Sequence, residues 1–233
     1  MIKRISAAAC AALVFLGVAA QGAIVSYSQS FAPTAVGTPS FNVPLPKFDP
    51  LLGTLTSVAL TLETTTAGGS LSFDNEAGVG GTVDLALKIF ISATAGSGPA
   101  LTVATNPIIS GTSVVTGDGA DGTGDFLGTD SFTISGGGSN NATTSQTLPA
   151  FLTQFTATMV GEMFDATVAN TILTSSNTVG MFGPTMAAGG TYFGKVTVAY
   201  TYFLVPVPEA GTAFWGACLA AATALRRTRV RRA

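Results

Sequence analysis

The stretch TVDLALKIFIS, residues 82–92, decides the fold class because its side chains alternate between apolar and polar. Only Phe90 falls out of the pattern. The apolar positions are Val83, Leu85, Leu87, Ile89 and Ile91. Successive side chains of a strand point to opposite faces of its sheet, so the pattern predicts a strand with one buried face.

The stretch KVTVAYTYF, residues 195–203, alternates in the same way, and its β-branched and aromatic content favours a strand. The side chains expected in the core are Val196, Val198, Tyr200 and Tyr202. Weaker patterns predict strands at 24–31, 55–62, 71–73, 112–116, 131–135 and 151–160. Phe151 and Phe155 also fit helical spacing, so the last of these segments is open between strand and helix.

Glycine-rich segments separate these runs, and we predict them to be turns because glycine readily adopts positive φ angles. They are TTTAGGS (64–70), GVGGT (78–82), GSGP (96–99), TGDGADGTGD (116–125) and SGGGSNNATTS (135–145). The last contains an N-glycosylation triplet at Asn141, which we expect in an exposed loop. Short strands joined by turns predict an all-β fold, a single antiparallel, jelly-roll-like β-sandwich over residues 24–205.

Charge is unevenly distributed along the chain. Between Ile24 and Pro206 there are three lysines, no arginine and eleven carboxylates, which give this body a net charge of −8. Nucleic-acid affinity comes largely from lysine and arginine on phosphates. The composition therefore excludes nucleic acid as a partner.

The body also lacks the side chains that most enzyme sites use. The chain has no histidine, and its two cysteines, Cys10 and Cys218, lie in the terminal apolar segments. Imidazole and thiolate chemistry is thereby excluded from the body, and we expect a noncatalytic domain. A glycan hydrolase that uses a pair of carboxylates is the remaining enzyme alternative. Its candidate residues are Glu63, Asp74, Glu76, Asp84, Glu162 and Asp165.

A group of aspartates in GDGADGTGDFLGTD, residues 117–130, is the candidate metal site. The four residues are Asp118, Asp121, Asp125 and Asp130. Calcium binds several carboxylate and carbonyl oxygens, which a flexible acidic loop can supply, although the spacing differs from that of an EF-hand. The alternative is a solvated turn in which the aspartates have no ligand.

Both ends of the chain carry membrane-directed segments. Lys3 and Arg4 precede an apolar stretch and small residues, so residues 1–23 predict a secretory signal peptide. At the other end, the uncharged segment 211–225 predicts a short transmembrane helix. Basic residues that stop transfer and stay cytoplasmic follow it in the tail 226–233. They are Arg226, Arg227, Arg229, Arg231 and Arg232.

The end of the chain resembles the PEP-CTERM sorting signal of exopolysaccharide-producing Gram-negative bacteria. The resemblance rests on Val207, Pro208 and Glu209, on the apolar helix and on the arginine cluster within residues 206–233. The family usually has a second proline where this chain has Ala210. The resemblance implies processing by an exosortase, a membrane protease that cuts near the motif and passes the protein to the cell surface or matrix.

The body is similar to the choice-of-anchor E domain, a family of exported domains with alternative C-terminal anchors. The similar segments are IVSYSQSF (24–31), LPKFDPLLGTLTSVALTL (45–62), DFLG (125–128) and KVTVAYTYF (195–203). This resemblance implies an exported, surface-bound β domain, and it transfers no catalytic residue.

Together these observations predict a noncatalytic surface or extracellular-matrix protein that is sorted and anchored through its tail. We expect it to be exported through the inner membrane, held there transiently, and then located at the cell surface or outside the cell. The expected partners are an exosortase-type protease and exopolysaccharide, and no cofactor is expected unless the aspartates bind calcium. The functional alternative is a calcium-stabilised carbohydrate-binding module.

Overall fold

A computed structural model of the chain describes residues 22–96, 100–117 and 124–204. Nearly all of the predicted signal peptide and all of segment 206–233 lie outside these ranges, including the sorting motif and the arginine tail. Within the described ranges, no helix is both long and apolar enough to cross a membrane.

The described chain forms ten strands, one short α-helix and one 3₁₀ turn at Pro50–Leu52. In chain order these elements are β1 (Gly22–Ala35), β2 (Phe41–Pro46), β3 (Gly53–Asp74), β4 (Gly81–Ala95), β5 (Leu101–Thr105), β6 (Ile108–Val115), β7 (Ser131–Gln146), α1 (Pro149–Phe155), β8 (Met163–Thr178), β9 (Thr185–Ala188) and β10 (Thr191–Leu204). The fold is therefore all-β, as the alternating stretches predict.

The strands form two antiparallel sheets of five strands each. The front sheet has the order β1-β10-β3-β7, with β9 paired to the far end of β3. The back sheet has the order β2-β8-β4-β5, with β6 also paired to β4. One hydrophobic core between the two sheets contains side chains from both, so the prediction of a β-sandwich is confirmed.

Strand β4 shows why the opening pattern is decisive. Its alternate residues from Val83 to Ile91 are buried, while Asp84 and Lys88 are exposed on the other face. In β10 the predicted inward residues, including Tyr200 and Tyr202, are likewise buried. Both strands therefore place the predicted face in the core.

Two buried tyrosines have partners for their hydroxyl groups. Tyr200 donates to the Pro46 carbonyl oxygen at 2.8 Å, which links the front sheet to the end of β2. The hydroxyl of Tyr192 accepts from the Asn170 side chain of β8 at 3.0 Å. Burial raises the pKa of both phenols because it disfavours the charged form. These bonds join the sheets through polar atoms that would otherwise be unsatisfied.

Two glycine-rich segments predicted as turns are instead parts of strands. Segment 64–70 lies inside β3, where the register with β7 shifts between Thr66 and Gly69. Segment 135–145 lies inside β7, so the loop predicted around Asn141 is wrong. A Cβ added to Gly137 would overlap the Thr66 carbonyl oxygen. Here glycine permits close approach of two strands rather than a reversal of the chain.

Segment 151–160, which was open between strand and helix, contains the end of α1. Pro149 occupies the first turn, where its missing N–H costs nothing. Phe151, Leu152 and Phe155 are buried against the core. Helical spacing of the two phenylalanines, and not strand alternation, therefore determines the structure of this segment.

Candidate functional site

The aspartates predicted to bind calcium lie only partly within the described residues. Asp118 and Asp121 are outside them. One carboxylate oxygen of Asp125 accepts the Leu127 N–H at 2.8 Å, and the Asp130 carbonyl oxygen accepts the Asn75 N–H at 3.1 Å. Among the described residues, no three carboxylate, histidine or cysteine side chains gather closely enough to hold a metal ion.

Asp74, at the end of β3, was not part of the predicted calcium site but lies beside this loop. Its side chain is 2% exposed. One carboxylate oxygen accepts the Phe126 N–H at 2.7 Å, and the other has no hydrogen-bond partner among the described residues. The neighbouring Asn75 is fully buried and donates to the carbonyl oxygens of Val79 and Thr116. We call Asp74, Asn75, Asp125 and Asp130 the acidic end.

The sequence could not show that Asp74 lies beside the aspartate loop. Asp74 and Asp125 are distant along the chain and become neighbours only through sheet pairing. The pairing of Asp74 with Ser131 places the end of β3 beside the start of β7. The segment that precedes β7 contains Asp125 and Asp130. The only signal in the sequence was the position of Asp74, which directly follows Phe73 at the end of the strand predicted at 71–73.

Of the remaining carboxylates considered for a hydrolase, Glu76 donates its backbone N–H to the Phe182 carbonyl oxygen at 2.8 Å. The side chains of the other four contact nearby polar or basic groups. Asp84 accepts from the Thr112 hydroxyl at 2.7 Å, and Asp165 accepts from the Asn42 amide at 3.3 Å. Glu63 forms an ion pair with Lys195 at 3.0 Å. These contacts give each of the three a structural partner on an adjacent strand.

Glu162 has the most extensive set of contacts among these carboxylates. It forms an ion pair with Lys47, and its second oxygen accepts from the N–H and the hydroxyl of Thr158 at 2.7 and 2.9 Å. The bond from Lys47, followed by those from Thr158, lowers the pKa of Glu162 to about 2 from its ordinary value of 4.5. Since the Lys47 N–H also donates to the Glu162 carbonyl oxygen, this pair fastens the end of β2 to the turn before β8.

A depression on the surface crosses the front sheet, and we call it the front groove. Its volume is about 620 Å³, and the Glu63–Lys195 ion pair forms part of its lining. The other lining residues are Ser30, Phe31, Thr64, Thr65, Ser139, Asn140, Asn141, Phe193 and Gly194. The groove thus offers hydroxyl groups, side-chain amides, one ion pair and the exposed ring of Phe193.

A row of hydroxyl groups lies beside the groove on the outer face. Strand register places Ser28, Thr197, Thr61 and Thr143 in one line across the four strands. The first two share a hydrogen bond of 2.8 Å, as do the last two. The next line contains Ser30, Lys195, Glu63 and Asn141. Alternate threonine and serine residues in each strand could have indicated this face, but their order across strands depends on register.

Comparisons with known proteins assign neither a family nor a fold. No protein-family model matches the sequence, and no curated protein matches it. Among solved structures, the infectious bursal disease virus VP2 subviral particle is 12% identical, has a TM-score of 0.16, and is aligned over 81% of this chain and 42% of that chain. The structure of the Gx strain of infectious bursal disease virus is 15% identical, has a TM-score of 0.13, and is aligned over 83% of this chain and 42% of that chain. This chain thus spans under half the length of these structures, and TM-scores this low support no inference.

Proposed function

We propose that this chain is a noncatalytic surface or extracellular-matrix protein whose front groove contacts polysaccharide. The observation that carries the proposal is the lining of the groove. It combines hydroxyl and amide groups with the exposed Phe193 ring. The one carboxylate in the lining, Glu63, forms an ion pair with Lys195. A lining of this kind suits binding better than hydrolysis, which requires a pair of carboxylates across the cleft.

The groove matches the chemistry of a neutral or weakly charged sugar chain. Sugar hydroxyls donate and accept hydrogen bonds, as do Ser139, Asn140 and Asn141. The apolar side of a sugar ring can pack on Phe193, which is 38% exposed. The body's net charge of −8 disfavours strongly acidic polymers at a distance, because like charges repel. We therefore expect the ligand class to be polysaccharide with few or no acidic groups.

Binding is tested by sedimenting the full chain with insoluble matrix polysaccharide. We expect Phe193→Ala to weaken binding by about tenfold, which corresponds to about 1.4 kcal/mol of lost ring contact. Phe182→Ala is the matched control, since Phe182 is 78% exposed but does not line the groove. Equal binding by the wild type and Phe193→Ala would contradict the proposal.

Sorting through the tail is the second part of the proposal. It is supported by the Val207-Pro208-Glu209 motif, the apolar segment 211–225 and the arginine cluster. In this account the signal peptide 1–23 directs export, the tail anchors the protein transiently, and an exosortase-type protease releases it. The body then remains at the cell surface or outside the cell.

Mass spectrometry of the protein recovered from exopolysaccharide-producing cells tests this account. We expect matrix protein that lacks both the N-terminal apolar stretch and the arginine tail. Replacing all five tail arginines with glutamine should release uncut protein, because the stop-transfer charge is lost. Intact chains ending at Ala233 in washed matrix would contradict the sorting proposal.

The alternation of strands between sheets supports the jelly-roll-like description of the domain. Strands β1, β3, β7 and β10 lie in the front sheet, whereas β2, β4, β5 and β8 lie in the back sheet. The chain therefore passes repeatedly from one sheet to the other, as in double-sheet jelly rolls. Lectin domains are among the proteins that use this arrangement.

A calcium-stabilised carbohydrate-binding module is the second candidate, and Asp74 is the observation that favours it. A buried carboxylate oxygen without a partner is costly unless a cation or a hydrogen-bond donor reaches it. We expect the melting temperature of the full chain to rise in millimolar calcium and to fall in chelator, and Asp74→Asn should abolish the difference. A wild-type melting curve that is identical in calcium and chelator would remove this candidate.

A further inference from the structure

The two outer strands of the front sheet, β1 and β7, contain no charged residue. They are 14 and 16 residues long. Among the described residues, neither strand pairs with another strand on its outer side. Free N–H and C=O groups on an edge recruit further strands, and natural proteins usually guard long edges with lysine, proline or bulges.

Features that discourage pairing with a further strand are present in only one part of each edge strand. β1 contains Pro33 and a register shift between Phe31 and Thr34, and β7 has its register shift beside Gly136. Residues 22–31 of β1 and 138–146 of β7 pair regularly with their inner neighbours. Each sheet edge therefore retains a regular, uncharged segment with one free side.

The directions of these two edges are complementary. β1 is antiparallel to β10, β10 to β3, and β3 to β7, so β1 and β7 run in opposite directions. Strand register also places them at the same height. Val25 lies in line with Gln146, and Phe31 lies in line with Asn140. A second copy that continues the twist of the front sheet can thus set its β7 beside β1 as an antiparallel neighbour without sliding along the strands.

We propose that copies of this chain associate head to tail by pairing β1 of one copy with β7 of the next, which makes one continuous front sheet. Neither edge brings a charge into the contact. Each edge supplies hydrogen-bond partners for the unpaired backbone N–H and C=O groups of the other. The hydroxyl row also continues across the junction, since Ser28 of one copy falls in line with Thr143 of the next. In the assembly, β1 of each copy therefore pairs with β7 of a neighbouring copy.

The back sheet does not offer the same complementarity. Beyond Val168, β8 has no strand on its outer side among the described residues, and since β6 and β8 both pair antiparallel with β4 they run parallel to each other. The remaining outer strands are β2, which contains Pro44 and Pro46, and β5, which has five residues. Parallel pairing is somewhat weaker per residue, and proline blocks ladder bonds. The front sheet therefore determines the direction of growth.

The geometry of the sheet predicts the form of the assembly. Four strands spaced about 4.8 Å apart add about 19 Å of length per copy. Each strand step twists the sheet by roughly 20–25°, so each copy turns by roughly 80–100° about the direction of growth. Rotation about that direction advances along a screw and does not close, which gives an open filament with about four copies per turn.

Two single substitutions test the two edges separately. Gln29→Lys in β1 and Asn140→Lys in β7 each replace an exposed amide side chain with a charge that the neighbouring copy would enclose. Val160→Lys is the control, because Val160 is 79% exposed in the turn before β8. The substitution adds the same charge away from both edges. Ser28→Lys and Ser145→Lys on the same two strands serve if either first choice fails to fold.

Light scattering and sedimentation of the full-length proteins give the readout. We expect the mass of the wild type and of Val160→Lys to grow with concentration, while each edge variant stays at the mass of one chain. Mixing Gln29→Lys with Asn140→Lys should give a species of two chains in equal amounts, since each variant retains the free edge that its partner needs. Fibre diffraction of the wild type should show the repeat of about 19 Å.

Three outcomes would overturn the proposal. A wild type that remains a single chain at all concentrations excludes edge pairing. Self-association of Asn140→Lys alone would mean that β1 pairs with another β1. Growth of both edge variants like the wild type would mean that association does not use these two edges. Phe193→Ala changes neither edge strand, because Phe193 lies in β10. Its effect on polysaccharide binding tests the proposed function, and the edge variants test the assembly, so either proposal can fail without the other.

Discussion

At the scale of single residues, the backbone of β3 passes so close to Gly137 of β7 that a Cβ there would overlap the Thr66 carbonyl oxygen. Alternation identified the buried side chains of β4 and β10 because burial of one face depends only on local spacing. The glycines of β7 were predicted as a turn because composition does not reveal that a backbone passes directly beside Gly137. The partner strand supplies that information, and the partner is far away in sequence.

Gly137→Ala should destabilise the domain by about 1–3 kcal/mol, because the added methyl group would overlap the Thr66 carbonyl oxygen and force β3 and β7 apart. Gly189→Ala is the matched control, since nothing lies near a Cβ at that position. Urea unfolding of both variants measures the difference. Equal stability of the two would mean that the strands separate there without cost.

Glu162→Gln should lower the melting temperature in a pH-dependent manner. The pKa of Glu162 is depressed to about 2 in the folded state, so its carboxylate stabilises the fold above its ordinary pKa of 4.5. This contribution is lost as the pH falls through the folded pKa of about 2. We therefore expect the gap in melting temperature between wild type and variant to be widest above pH 4.5 and to close towards pH 2.

The control for this prediction is Glu63→Gln, which removes an ion pair whose side chains are 48% and 40% exposed. Exposed pairs contribute little to stability, so we expect a small change in melting temperature. A gap for Glu162→Gln that stays constant from pH 7 to pH 2 would show that its carboxylate charge is not what stabilises the turn.

At the scale of elements, strand existence was predictable and strand extent was not. The segments predicted at 55–62 and 71–73 are two parts of β3, which continues through the glycines between them. The bulge between Thr66 and Gly69 accommodates those glycines without ending the strand, and Gly68 there has a φ of +67°. Turns and β-bulges both use glycine, although for different geometrical reasons. Composition alone therefore predicts a turn at such a site.

The helix α1 has a short sequence and depends on packing for its stability. Phe155 is fully buried and meets Phe164 of β8 edge to face, with ring centroids 5.1 Å apart. We expect Phe155→Ala to cost about 3–5 kcal/mol of unfolding free energy, measured by urea denaturation. Leu148→Ala, at a position that is 60% exposed, should cost far less. Similar losses for both would mean that α1 does not depend on its buried face.

At the scale of the whole molecule, the sequence predicted the sandwich but not the front groove. The groove requires four strands in one order and one register, and residues from Ser30 to Lys195 meet there. Likewise, Asp74 meets the loop that precedes β7 only because β3 pairs with β7. Long-range pairing therefore decides both sites, and local patterns do not encode it.

The imbalance of three lysines against eleven carboxylates should make the domain sensitive to salt. Repulsion among excess negative charges opposes the compact state, and salt screens it over about 10 Å at 0.1 M. We expect the melting temperature at pH 7 to rise with sodium chloride when a chelator is present to remove divalent ions. A fall in melting temperature would mean that the ion pairs of Lys47 and Lys195 outweigh the repulsion.

The pairing of Gly22 with Phe203, and of Leu204 with Gly53, means that the chain enters and leaves the domain at a single pole. Strand β3 leads from that pole to Asp74, a distance of up to about 70 Å for its 22 residues. A tether attached beyond Leu204 would therefore begin at the end of the front sheet opposite the acidic end. Attachment at that end would leave Asp74 and the front groove clear of the attachment point.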